Sequence, residues 1–163
     1  MPIKRYDGTN WVVVAGDGAP GAQGSSSTTA NIALTGTEEV TNIVAAAAPA
    51  AINIDAITST TWYYTSSATS NFTINFRGSG GATLSSILPV NNAISIVLLV
   101  TQGSTAYYGT AFTIDGTSVT PKWAGGSAPS AGNASGIDAY SFTIVKTAST
   151  PTYTVLAGLG KFA

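Results

Sequence analysis

Apolar and polar positions alternate along most of this chain with a period of two, the signature of strands that bury one face. In "NFTINFRG", Phe72, Ile74 and Phe76 share one side while Asn71, Thr73, Asn75 and Arg77 share the other. "AINIDAI" repeats the pattern through Ile52 and Ile54, "AYSFTIVK" through Tyr140, Phe142 and Ile144, and "PTYTVLAG" through Tyr153 and Val155. "AISIVLLV" is apolar almost throughout, as expected of a strand covered on both faces or buried at a subunit contact. Turn chemistry separates these runs in "RGSGGAT", "VTQGST" and "AGGSAPSAGNASG". Asp115-Gly116, between "FTI" and "TSV", predicts a hairpin turn, because both residues tolerate positive φ.

Helix signals are few. "TLSSILPVNN" has room for one short turn before Pro89. "TEEVTNIVAAAA" offers a Thr cap followed by Glu38 and Glu39, yet Val40, Thr41, Ile43 and Val44 are β-branched and dilute the helix preference of the alanines. Short strands, Gly-rich turns and little helix together predict an all-β fold. The expected organisation is a β-sandwich or jelly-roll-like domain over residues 30–163. An N-terminal arm over residues 1–29 precedes it, one short strand followed by a Gly/Ser-rich connector.

The arm contains "WVVVAGDGAPGAQG", where Gly16, Gly18 and Gly21 spell G-x-G-x-x-G, the fingerprint of a dinucleotide-binding turn. That chemistry needs a helix opening at the glycines, so that its free N–H groups meet the pyrophosphate. Instead "AQGSSSTTAN" follows, Pro20 removes an N–H, and no βαβ alternation surrounds the motif. The same glycines read from Gly18 through Gly21 to Gly24 fall at every third position, as in a collagen triplet, where three chains crowd one axis. So short a run cannot hold a triple helix alone, but it suits the linker of a homotrimer.

Composition narrows the function. Only 8% of the 163 residues are charged and the net charge is −1, so the surface is built from Ser, Thr, Asn, Gly and Ala. Weak colloidal repulsion suits a life inside an assembly. Six basic residues, at positions 4, 5, 77, 122, 146 and 161, are too scattered for a phosphate-binding stripe, so no nucleic-acid partner is expected. The chain has no Cys and no His, which removes thiolate nucleophiles, disulfides, the commonest general base and the commonest transition-metal ligand. Asp7, Asp17 and Asp115 each adjoin a glycine and read as turn residues, and Glu38, Glu39, Asp55 and Asp138 are expected to be solvated turn or cap residues too. No enzyme activity, catalytic residue, metal or cofactor is therefore expected. No apolar leader follows Lys4 and Arg5, and the longest apolar stretches fall short of the roughly 20 residues that span a bilayer, so neither secretion nor a membrane partner is expected. Trp62-Tyr63-Tyr64, Tyr107-Tyr108 and Trp123 suggest a sugar-stacking platform, but neighbours on a strand face opposite ways, which favours core and subunit seam.

Residues 74–163 resemble the C-terminal region of structural proteins of tailed bacteriophages, particularly those infecting cyanobacteria. The likeness is carried by Arg77-Gly78, "TAYY", "IDG", "TPKW", "AGNASGID" and the terminal "KFA". "YDGTNWVVVAG" with its glycine triplets likewise resembles the start of phage fibre and decoration proteins. The resemblance implies a virion protein assembled in the host cytoplasm, with the major capsid protein or tail proteins as partners. A compact head on an adhesive arm fits a capsid-decoration (cement) protein; the alternative is a short tail or head fibre that binds a host-surface glycan. On the cement reading Ile3, Tyr6, Trp11, Val12, Val13 and Val14 form the anchor, adding a strand to a neighbouring subunit. Gly18, Gly21 and Gly24 then form the trimer linker.

Overall fold

A computed structural model describes residues 38–163, together with residues 8 and 9 and the two strands Ile3–Tyr6 (β1) and Trp11–Ala15 (β2). The chain forms two compact units, residues 1–37 and 38–163. The expected boundary after residue 29 lies outside the described residues.

In the larger unit the alternating segments become strands in two sheets. The chain passes from one sheet to the other and back, through Thr41–Ala47 (β3), Ala51–Asp55 (β4), Thr61–Ser66 (β5), Phe72–Arg77 (β6), Ala93–Thr101 (β7) and Gly109–Ile114 (β8). β3, β5 and β7 pair side by side in parallel, and so do β4, β6 and β8. Parallel neighbours need a crossover connection. Here each crossover is a strand of the opposite sheet, so the chain coils through three circuits. A short strand, Thr117–Ser118 (β9), turns back on β8 to close the four-stranded sheet β4-β6-β8-β9. Lys122–Trp123 (β10) and the long antiparallel pair Ile137–Ala148 (β11) and Thr152–Phe162 (β12) complete the six-stranded sheet β10-β12-β11-β7-β5-β3. The all-β, two-sheet expectation stands. Its jelly-roll connectivity gives way to this coil, because a jelly roll joins antiparallel strands and five of the pairings here are parallel.

The period-two pattern sorts inside from outside as expected. Ile52, Ile54, Phe72, Ile74, Phe76, Phe112 and Ile114 face inward from the smaller sheet, against Trp62, Tyr64, Ile96, Leu98, Val100, Tyr140, Phe142, Ile144 and Val155 of the larger. Phe142 sits where they cross, with its ring centroid 4.9 Å from Phe76, 5.8 Å from Phe112 and 6.2 Å from Tyr140. On the outer side of the four-stranded sheet the in-register Asn53, Asn75 and Thr113 form a polar ladder. Asn75 Nδ2 donates to Asn53 Oδ1 at 2.9 Å, and Thr113 Oγ1 donates to Asn75 Oδ1 at 2.8 Å.

"TEEVTNIVAAAA" becomes strand β3, since its β-branched residues lie against β5 and the alanines follow them. The one helical turn predicted before Pro89 forms at Leu84–Ile87 (α1), capped by Thr83, whose Oγ1 accepts from Ser86 N at 3.1 Å. The hairpin turn at Asp115-Gly116 is present, with φ of 51° and 79°.

Candidate functional site

The six predicted anchor residues lie on one hairpin. β1 and β2 pair antiparallel, Tyr6 with Trp11, Arg5 with Val12, Lys4 with Val13 and Ile3 with Ala15, an irregularity leaving Val14 between pairs. The turn includes Gly8 at φ 101°. Two strands stand where one was expected, because "IKRY" is too short for its alternation to register. Since β1 occupies one edge of β2, strand addition would use the other. Gly18, Gly21 and Gly24 lie outside the described residues.

The outer face of the six-stranded sheet is built almost entirely from uncharged residues. Register aligns Ile43, Tyr63, Leu99, Ala139 and Gly160 in one row across β3, β5, β7, β11 and β12. Thr41, Thr61, Val97, Ser141 and Gly158 form the next row. Bulky side chains therefore crowd the β3-β5-β7 half, while Ala, Ser and Gly floor the β11-β12 half. Over that floor lies an open groove of about 400 Å³, bounded by Ser141, Thr143, Leu156, Gly158 and the Lys122–Trp123 edge. Ile43 is 64% exposed, Leu156 48% and Phe162 61%, so apolar side chains meet water on both the β3 and the β12 side of this face. Among the described residues, Lys122 is the one charged residue whose register places it on this face. Glu39 reaches the opposite rim, where its Oε2 accepts from Thr61 Oγ1 at 3.2 Å. β3 itself is an edge strand with no charge, proline or bulge to discourage a further strand except the irregularity between Val44 and Ala47.

Asp138 and Asp55 depart from the expectation of solvated turn residues, and Asp115 does more than turn the chain. Asp138 is fully buried at the start of β11: Oδ2 accepts from Gln102 Nε2 at 3.0 Å and from Asn133 N at 3.2 Å, and Oδ1 is buried without a hydrogen bond. Burial raises its pKa, partly offset by the Asn133 N–H, by Lys161 and by Gln102. The same Gln102 grips the Tyr107 backbone at both ends, donating to its carbonyl at 2.8 Å and accepting from its N–H at 2.9 Å. Asp138 thus pins the loops before β8 and β11 to the sheet; the signal for its burial lay in the alternation, because it shares the inward parity of Tyr140, Phe142 and Ile144. Asp115 holds more than its own turn, because its carboxylate accepts from Leu84 N at 2.6 Å and Ser85 N at 3.1 Å and anchors α1. Asp55 pairs with Arg77 at 2.5 Å across β4 and β6. Glu38 and Glu39 are exposed, whereas Asp7 and Asp17 lie outside the described residues. Among the described residues, no three Asp or Glu side chains converge as a metal site would require.

The aromatics form no continuous platform. Trp62 and Tyr64 are buried inside while Tyr63 points out, as the strand geometry demands. Trp123 packs edge-on against Phe112 at 5.4 Å. Tyr107 and Tyr108 sit half-buried in the loop before β8. No protein-family model, curated protein or solved structure matches this chain.

Proposed function

We propose that this chain is a structural protein of a tailed-bacteriophage particle, a homotrimeric capsid-decoration protein whose β head is tethered to the shell through its N-terminal arm. The observation that carries this reading is the outer sheet face, six strands wide and nearly free of charge, which a single copy leaves in water. Such a face suits a protein that works covered by neighbours. Its low overall charge points the same way. The likeness of residues 74–163 to phage structural proteins supplies the setting, and the glycine triplets at 18, 21 and 24 supply the threefold copy number. The arm docks by adding the edge of β2 away from β1 to a strand of the major capsid protein, where backbone hydrogen bonds become affinity.

Deleting residues 1–24 and measuring incorporation into particles tests the tether. Incorporation should fall to background, and unchanged incorporation refutes the anchor. Imaging of labelled particles tests the location, with copies expected over the whole shell. Label confined to one vertex replaces decoration by a short fibre, for which binding to host-surface glycans is the next measurement.

A further inference from the structure

We infer that the outer face of the six-stranded sheet is where copies of this chain meet, the Ile43-Tyr63-Leu99 ridge of one copy seating in the groove over Ser141, Thr143 and Gly158 of the next. Three observations converge on a second copy as the occupant. The face is self-complementary in shape, bulky on β3, β5 and β7 and hollow over β11 and β12, where the groove of about 400 Å³ has room for side chains of the ridge. It is also complementary in charge, because Glu39 stands at the ridge rim beside Thr61 and Lys122 at the groove rim. A foreign partner would need its own ridge, groove and matching charges, whereas another copy of this chain carries all of them. Finally, Ile43 at the crest and Leu156 at the groove wall are the exposed apolar residues that such a contact would cover. The contact deepens the proposed assembly by naming its seam, and relies on that reading for its copy number alone.

A chain without cysteine makes the test direct. Within one copy Ile43 and Thr143 are three strands and four residues apart, roughly 20 Å from strand spacing and rise. A short bismaleimide therefore cannot join them intramolecularly. The I43C/T143C variant of the full chain should give covalent oligomers, and I43C or T143C alone should stay monomeric on a denaturing gel. Monomers from the double variant overturn the contact, as do oligomers from either single variant. The largest covalent species decides the copy number separately: a trimer supports both the seam and the trimeric reading, whereas a dimer keeps the seam and overturns the trimer. As a second check, I43K should reduce the mass in light scattering to that of one chain with an unchanged far-ultraviolet circular dichroism spectrum. An unchanged mass overturns the contact. Incorporation into particles by a monomeric I43K protein would show the tether working without the seam, so failure of the seam and failure of the decoration reading remain distinguishable.

Discussion

Replacing Phe142 by Ala probes the register on which the fold depends. Phe142 is 2% exposed and its ring meets those of Phe76, Phe112, Trp123 and Tyr140, so it joins both sheets and the β10 edge. Truncation loses the transfer free energy of a buried aromatic and leaves a cavity lined by rings that cannot all collapse into it. Such changes cost about 3–5 kcal/mol. The unfolding entropy of a unit of 126 residues, 38–163, is about 0.26 kcal/mol/K, so the midpoint of thermal unfolding should fall by roughly 15 °C. Ser141, its neighbour in the strand, faces out, and S141A should stay within about 0.5 kcal/mol of the parent protein. Both variants are compared by differential scanning calorimetry at one protein concentration. A one-residue slip exchanges the two faces of a strand. If F142A loses less than about 5 °C while S141A loses more, β11 does not lie in the described register and the two-sheet core is wrong.

Three further measurements bear on the loops that pin the sheets. Y140F removes the hydroxyl that accepts from Gly109 N at 3.0 Å and leaves a buried donor unpaired, which should cost about 1–3 kcal/mol in urea unfolding; an unchanged midpoint would show that this bond contributes nothing. In G132A the new Cβ would lie 2.4 Å from the Tyr107 carbonyl oxygen and 2.6 Å from Asp138 Oδ2, so the loop must shift at a cost of about 1–3 kcal/mol, read as a lower unfolding midpoint. Asp138 has its pKa raised by burial, so the folded state holds its proton to higher pH than the unfolded chain does. Its contribution to stability is full below the ordinary carboxylate pKa of about 4 and is lost as pH rises through the raised value. The D138N variant should therefore show a flatter stability profile from about pH 4 upward, and identical slopes for the two proteins would refute the assignment.

Much of the core was legible beforehand because alternation reports which side of a strand is buried, whatever that strand pairs with. Phe72, Ile74, Phe76, Tyr140, Phe142 and Ile144 follow from spacing alone, and so does the turn at Asp115-Gly116, whose chemistry is local. The candidate site was less legible. "AISIVLLV" announced a strand apolar on both faces, and β7 does present Val97 and Leu99 outward, but nothing in that stretch tells which strands extend its face. The outer face is assembled from residues as distant as Ile43 and Leu156. Asp138 was expected to be a solvated turn or cap residue, and the fold instead closes Gln102 and the Asn133 backbone over it.

What the sequence by itself determined is local: most of the strands with their inward and outward residues and the helical turn before Pro89, each set by neighbours a few positions away, together with the weakly charged surface that composition dictates. Only the tertiary structure decided the pairing. Hairpins and coils use the same alternating strands and similar short turns, and the choice between them rests on which distant backbones exchange hydrogen bonds. That choice made parallel circuits of β3 to β8, brought a ridge and a groove onto one sheet face, and buried Asp138.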